Sequence, residues 1–286
     1  MRWYPAPAKL NLFLHVVGRR ADGYHLLQTA FRLIDRYDQV GIEPRADGEL
    51  RRTDTLPGVS PEADLCLRAA VLLKEEHALR QGARAAEALG ADIGLRKEIP
   101  LGGGLGGGSS DAATVLLVLN RLWRLDMTRA QLQALALRLG ADVPFFVYGR
   151  SALGEGIGER LSELSIRPAS YLVLQPQVSV STKEIFSDAA LTRDTKELTI
   201  PPFFDGPSDN DLERIALRRY PAIREQLGWL KRHCPDARMT GSGSCVFAEF
   251  KLETDALAVQ AKLPETMRGF VAQGLDRHPL YEWGIE

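Results

Sequence analysis

Cysteine is scarce in this 286-residue chain: Cys66, Cys234 and Cys245 are all it has. Three is an odd number and no pair has CxxC spacing, which argues against both a disulfide framework and a cysteine-based zinc site. An excess of one charge is missing as well. Thirty-six Lys and Arg stand against 37 Asp and Glu, for a formal net charge of -1. No global field therefore draws the chain to nucleic acid or to an anionic membrane, and neither is expected as a partner. Nor is there a run of about 20 apolar residues of the kind that spans a bilayer. The opening Met1-Arg-Trp-Tyr-Pro-Ala-Pro7 has no apolar h-region. Reduced thiols without leader or span predict a cytoplasmic protein.

What is present is an ordinary globular composition, 45% hydrophobic and 26% charged, long enough for one large domain or two medium ones. In residues 8–16, Leu10, Leu12, Leu14 and Val16 alternate with Lys9, Asn11, Phe13 and His15. That is strand periodicity, with a polar pair on one face. The Gly18–Gly23 turn chemistry and the β-compatible run from Tyr24 to Ile34 make an antiparallel ribbon of it. Residues 61–90 read as helical, opened by Ser60-Pro61 and interrupted or ended by Gly82 and Gly90. Residues 93–99 alternate as a half-exposed strand. Ala112–Leu125 reads as a buried helix with Ser109, Ser110 and Asp111 as N-cap candidates. Thr128 and Gln131 form a capping box for the next helix, which Gly140 ends. Beyond about residue 150 the elements shorten: a strand at 171–175, a polar Pro-rich stretch at 192–211, and a helix near 211–231. A second glycine turn, Thr240-Gly-Ser-Gly-Ser-Cys245, then enters an apolar strand. We read two α+β lobes, residues 1–152 and 153–286.

Residues 102–108 hold six glycines in seven positions, followed by Ser109-Ser110-Asp111. Gly102-x-Gly104-x-x-Gly107 satisfies the dinucleotide fingerprint, but the strand before it carries Arg96, Lys97 and Glu98, unlike a buried parallel strand. Gly103 and Gly108 have P-loop spacing, but Ser109-Ser110 stands where that motif needs Lys-Ser or Lys-Thr. What survives is physical: a bare backbone ahead of a helix N-terminus is an anion cradle. The Ser109 and Ser110 hydroxyls can cap the helix, touch phosphate or help hold magnesium. The missing cation comes from Lys9 or from Lys97. A phosphoryl transfer further needs a carboxylate at the acceptor hydroxyl, and Asp142 lies in a loop suited to it. By position alone Asp142 reads first as an N-cap.

Pro100-Leu-Gly-Gly-Gly-Leu-Gly-Gly-Gly-Ser-Ser-Asp111 resembles the phosphate loop of the galactokinase, homoserine kinase, mevalonate kinase and phosphomevalonate kinase (GHMP) superfamily. With Ala8-Lys-Leu-Asn-Leu12, Arg20-Ala-Asp-Gly-Tyr-His25, Gly140-Ala-Asp-Val-Pro144 and Thr240–Phe247, the likeness narrows to its diphosphocytidyl-methylerythritol kinase branch, over residues 5 to about 260. Two departures stand out: Asp64-Leu65 where many members carry Asn-Leu, a change that bears on the contact to the adenine or ribose edge, and, more mildly, Ser242 and Ser244 where many carry Thr and Ala.

The resemblance implies a two-lobed α+β fold, an N-terminal nucleotide-binding lobe followed by a ferredoxin-like one. It implies an ATP- and Mg2+-dependent kinase acting on a cytidine-diphosphate methylerythritol, as a monomer or weak homodimer. It assigns catalysis to Lys9 and Asp142. ATP contacts fall to Lys97, Pro100, Leu101, Gly102, Gly103, Gly104, Leu105, Gly106, Gly107, Gly108, Ser109 and Ser110. Substrate contacts fall to Asn11, Tyr24, His25, Phe31, Thr182 and Phe186.

Overall fold

The computed structural model describes residues 1–55, 59–199, 203–204 and 209–285. The expected ribbon forms: β1 (Arg2–Arg19) runs antiparallel to β2 (His25–Arg45), with Lys9 opposite Leu33 and Asn11 opposite Phe31. Both strands are longer than the alternation suggested, because most of their length is buried on both faces. The alternation also changes phase. A bulge between Asn11 and Phe13 inserts Leu12, so Leu14 joins Lys9 and Asn11 on a cavity wall while Phe13 packs with Leu10 and Leu12 on the other side. Phe13 and His15, expected beside Lys9, therefore stack edge-to-face on the opposite face.

β3 (Leu50–Arg52) and β4 (Gly90–Arg96) extend this sheet at one end of β2, and β5 (Ala152–Gly156) and β6 (Arg160–Glu163) at the other. β4 begins and ends earlier than the 93–99 reading. The Asp38 carboxylate accepts from the backbone amides of Glu98 (2.6 Å) and Ile99 (2.8 Å), taking them out of the ladder.

The helices cover one face. α1 (Leu65–Gln81) starts at Asp64, whose carboxylate accepts from the amides of Cys66 and Leu67. The start falls later than Ser60-Pro61 because Pro61–Ala63 make only a 3-10 turn. Gly82, at φ +92, separates α1 from the short α2 (Ala83–Ala86). α3 (Gly107–Leu122) is nearly all buried. α4 (Arg129–Leu137) has the Thr128–Gln131 capping box, and α5 (Val143–Tyr148) follows. Leu116, Leu119, Leu132, Phe145 and Phe146 are among the residues that fill the core between helices and sheet.

The second part opens with β7 (Ser165–Ile166) and β8 (Ser170–Leu174), then α6 (Thr182–Ser187) and β9 (Phe203–Phe204), which pairs β7. The single helix expected at 211–231 is two, α7 (Glu213–Arg219) and α8 (Pro221–Lys231). Tyr220 is extended ahead of Pro221, which brings no N–H to continue the ladder. β10 (Arg238–Met239), β11 (Val246–Phe250), α9 (Glu253–Gln260) and β12 (Gly269–Leu275) complete an antiparallel sheet ordered β10-β11-β8-β12. This is the ferredoxin-like order, with helices filling the crossovers. Of the Pro-rich stretch at 192–211, residues 200–202 and 205–208 lie outside the described residues.

β12 runs on to pair β2, Gly274 opposite Ile34, so both lobes share one ten-stranded sheet. Arg32, 1% exposed, marks the joint by donating to Ser151 Oγ (3.2 Å) and Asp276 Oδ1 (2.9 Å). The chain then returns to the first lobe, where Leu280 enters the core and the Arg129 amide donates to the Ile285 carbonyl.

His278, in that returning segment, is buried. Its Nδ1 accepts from the Leu280 amide (3.0 Å) and its Nε2 has no partner among the described residues. Burial, with Arg129 adding to it, pushes its pKa down to about 3. The folded state thus holds the neutral ring while the unfolded chain takes up a proton near the ordinary 6.5. This contribution to stability is complete above about pH 6.5 and is lost as pH falls. Urea unfolding is expected to show a loss of roughly 2 kcal/mol between about pH 7 and about pH 5 that His278→Gln no longer shows.

Candidate active site

A cavity of about 860 Å3 opens between the lobes, with Lys9, Gly102, Gly104, Gly106, Asp142 and Phe186 on its wall. On one side lies the glycine loop. Gly102, Gly104 and Gly106 take φ of +66, +75 and +72, conformations that L side chains rarely adopt. Gly106 is itself the N-cap of α3, without a side-chain capping bond. Ser109, Ser110 and Asp111 therefore sit inside the helix and not at the cap as the sequence suggested. Glycine supplies the left-handed entry, so the helix begins two residues before the first serine. The Ser110 amide makes the first intrahelical bond, to Gly106 O (2.9 Å), which leaves the amides of Gly107, Gly108 and Ser109 without intrahelical acceptors.

The loop is bare for a second reason. The turn Thr240–Cys245 packs directly into it: the Ser244 amide donates to Gly102 O (3.3 Å) and the Cys245 amide to Gly103 O (3.1 Å). A Cβ on Gly104 would collide with the Thr240 carbonyl and crowd Gly243 O at 3.1 Å. The two glycine turns form one unit, and the Asn11 amide donates to Thr240 Oγ1 (2.9 Å), tying β1 to it.

Across from the loop, Lys9 Nζ lies 3.3 Å from Asp142 Oδ2 and 2.5 Å from Asn11 Oδ1, beneath the Phe31 ring. The Lys9 amide donates to Leu105 O (3.0 Å), so β1 holds the lysine against the loop. Asn11 is oriented in turn, its Nδ2 donating to Thr29 Oγ1 (2.9 Å). Asp142 occupies the N-cap position of α5, yet its backbone is helical and its side chain caps nothing. The carboxylate faces Lys9. A buried ammonium, 3% exposed, beside a carboxylate open to the cavity is a pair suited to taking a proton from a hydroxyl and steadying the charge that develops.

At the far end, His25 stacks on Phe186 with ring centroids 5.0 Å apart, and Tyr24 is exposed beside them. Thr182, at the start of α6, hydrogen bonds Ser242 of the second glycine turn at 2.8 Å. The cavity thus runs from a bare backbone, past a lysine–carboxylate pair, to an aromatic slot.

Residues 64–150 match the model of the GHMP kinases N-terminal domain and residues 203–269 that of the GHMP kinases C-terminal domain. A 4-diphosphocytidyl-2-C-methyl-D-erythritol kinase of Thiobacillus denitrificans is 57% identical over 280 residues, covering 98% of either chain. The chain belongs to the 4-diphosphocytidyl-2-C-methyl-D-erythritol kinases of the GHMP family. A crystal structure of 4-(cytidine 5'-diphospho)-2C-methyl-D-erythritol kinase superposes with a TM-score of 0.78 at 34% identity, covering 96% of this chain and 99% of that one. The mevalonate kinase of Methanococcus jannaschii shares the fold at a TM-score of 0.67 and 15% identity, covering 96% and 98%.

In this GHMP kinase, Gly102, Gly104, Gly106 and Ser109 line the cavity together with Lys9, Asn11, Tyr24, His25, Phe31, Asp142, Thr182 and Phe186. Pro100, Leu101, Gly103, Leu105, Gly107, Gly108 and Ser110 are in the same loop and helix start but off the cavity wall. Lys97 is elsewhere. Its ammonium is paired with Asp38 and with Asp111 (2.8 Å), beneath Gly107 and away from the cavity. Burial works to lower the Lys97 pKa, yet the two carboxylates hold it above the ordinary value. Burial, against the pull of Lys97, raises that of Asp111. Between Lys9 and Lys97 as the loop's cation, only Lys9 reaches the cavity. Asp64 makes the capping bond to α1 and lies 3.3 Å from Arg52. Arg193, Arg19 and Ser242 also line the cavity, and although the turns holding Arg19 and Ser242 stand out in the sequence, none of the three residues is given a role by it. Arg193 in particular stands in a polar stretch without motif or periodicity.

Proposed function

We propose that this kinase transfers the γ-phosphoryl group of ATP to the 2-hydroxyl of 4-diphosphocytidyl-2-C-methyl-D-erythritol. The Lys9–Asp142 pair, set between the bare loop and the aromatic slot, is the observation that carries this reading. Asp142 takes the proton of the acceptor hydroxyl and the acceptor oxygen bonds to the γ-phosphorus. The bond to the β-phosphate oxygen breaks, and ADP leaves with that electron pair. Lys9 stabilises the developing alkoxide. The free amides at the start of α3 and its helix dipole face the nucleotide phosphates. The cytidylyl group occupies the slot of Tyr24, His25 and Phe186, with Thr182 and Asn11 toward the polar part of the substrate.

Magnesium fits the donors beside the loop: Ser109 Oγ on the cavity wall is a hard oxygen of the kind it takes along with phosphate oxygens and water, and Ser110 Oγ, buried off that wall, has no partner among the described residues. When bound, it neutralises phosphate charge. The same reading makes the enzyme cytoplasmic, acting alone or as a weak homodimer. Among the described residues no helix is long and apolar enough to cross a membrane.

Homoserine and mevalonate kinases share the superfamily chemistry, and neither acceptor carries a base to occupy an aromatic slot. A coupled ADP-release assay offering the three acceptors separately is expected to show turnover of the cytidylyl substrate alone. Turnover of homoserine or mevalonate, with none of the cytidylyl substrate, would contradict the assignment.

A further inference from the structure

We infer that Arg193 is a positioning residue that keeps His25 as an uncharged ring, its proton on Nδ1, stacked on Phe186. The inference rests on the cytidylyl reading of this end of the cavity and deepens it. Arg193 follows α6, and every hydrogen bond described for its guanidinium is a donation. Nη1 donates to Leu191 O (3.0 Å), and Nη2 to Phe186 O (3.1 Å) and Asp188 O (2.8 Å). These carbonyls fix the plane of the group. Nε then donates to His25 Nε2 at 3.0 Å.

A guanidinium has no lone pair to offer, so Nε2 must be the acceptor of that bond. An imidazolium carries hydrogen on both nitrogens and cannot make it. The geometry therefore admits only the neutral tautomer with Nδ1–H. Because Arg193 also grips the carbonyl of Phe186, one guanidinium sets both rings of the stack, His25 at the start of β2 and Phe186 on α6. A neutral ring suits a pyrimidine laid against it, since a charged one would have to be desolvated by the base.

The surroundings agree. Arg19 on β1, Lys183 on α6 and Arg193 line this end of the cavity, and the one carboxylate of the preceding turn, Asp22, is paired with Arg20 at 2.7 Å. Asp188 is taken by Arg218 and Arg219, and Glu184 accepts from the Tyr220 hydroxyl. The Tyr24 phenol is exposed. Burial first, then Arg193 and Arg19, lowers the His25 pKa.

The decisive test is a proton–nitrogen correlation spectrum of the imidazoles in the full-length free enzyme, with His25 assigned by its loss in His25→Gln. The Nδ1–H tautomer is expected to persist from about pH 7.5 down to about pH 5.5. In Arg193→Met, the His25 pKa should rise toward the ordinary imidazole value, though burial and Arg19 still hold it below that value, and the ring should protonate within the range scanned. KM for the cytidylyl substrate should then rise about tenfold per pH unit below that pKa, with KM for ATP unchanged within about twofold. Arg193→Lys, which retains a donor, should recover part of the loss. An Nε2–H tautomer or an imidazolium in the wild type overturns the inference, as does Arg193→Met with the wild-type pH profile. The spectrum needs no substrate, so it still decides the role of Arg193 if the cytidylyl substrate is not turned over.

Discussion

Replacing Asp142 with asparagine is expected to lower kcat by roughly 10²- to 10⁴-fold, the range in which a positioned general base contributes, while nucleotide affinity stays within about twofold. The side chains are isosteric, and Asp142 makes no capping bond whose loss would unfold α5. The amide oxygen can still accept from Lys9, so the buried ammonium keeps a partner. What disappears is the ability to take the acceptor's proton. Single-turnover kinetics and calorimetric titration with a nonhydrolysable nucleotide separate the two effects. A parallel loss of affinity and turnover would instead make Asp142 a structural residue of the loop.

The second large effect lies in the glycines, which serve two purposes that point mutants can separate. Gly104→Ala must place a Cβ at φ +75 against the carbonyl oxygens of Thr240 and Gly243, and backbone cannot swing aside as a flexible side chain can. A destabilisation of roughly 2–3 kcal/mol is expected, with nucleotide binding lost as the two turns are forced apart. Gly108→Ala is the contrast. Gly108 lies in the first turn of α3 at ordinary helical φ, and a Cβ there meets only the Leu65 side chain at 3.6 Å. Alanine should leave stability unchanged or raise it by about 0.5–1 kcal/mol. If Gly108→Ala weakens nucleotide binding while the protein stays as stable, its bareness serves the phosphate. Unfolding midpoints and nucleotide affinities of the two variants, measured together, decide both points.

Much of the site could be read from the chain because its pieces are local. The bare loop, the Ala8–Leu12 strand and the Gly140–Pro144 segment each show their chemistry within a few residues. The capping box at Thr128 was equally plain. What could not be read was whatever depends on packing between distant segments. The phase change in β1 is set by one bulge residue, Leu12, and the apolar residues flanking it suit either face. The cap of α3 moved from serine to Gly106, because a glycine that enters a helix left-handed leaves no side-chain signal. Lys97 offered a cation next to the loop, and only the fold shows that Asp38 and Asp111, from β2 and α3, already hold it. Arg193 acts through carbonyls and a histidine almost 170 positions away, so no spacing in its own stretch could have marked it. The second reason for the glycines, their contact with Thr240–Cys245, likewise depends on residues far along the chain.

The most direct test of the proposed chemistry is a phosphorus spectrum of the product formed from ATP and diphosphocytidyl-methylerythritol labelled with carbon-13 at C2. One new phosphomonoester resonance, coupled to the labelled carbon, unsplit by protons in the absence of decoupling because C2 carries no hydrogen, and growing in step with ADP, is the predicted result. A phosphomonoester split by protons on its ester carbon, or no ADP formed with this acceptor, would contradict it.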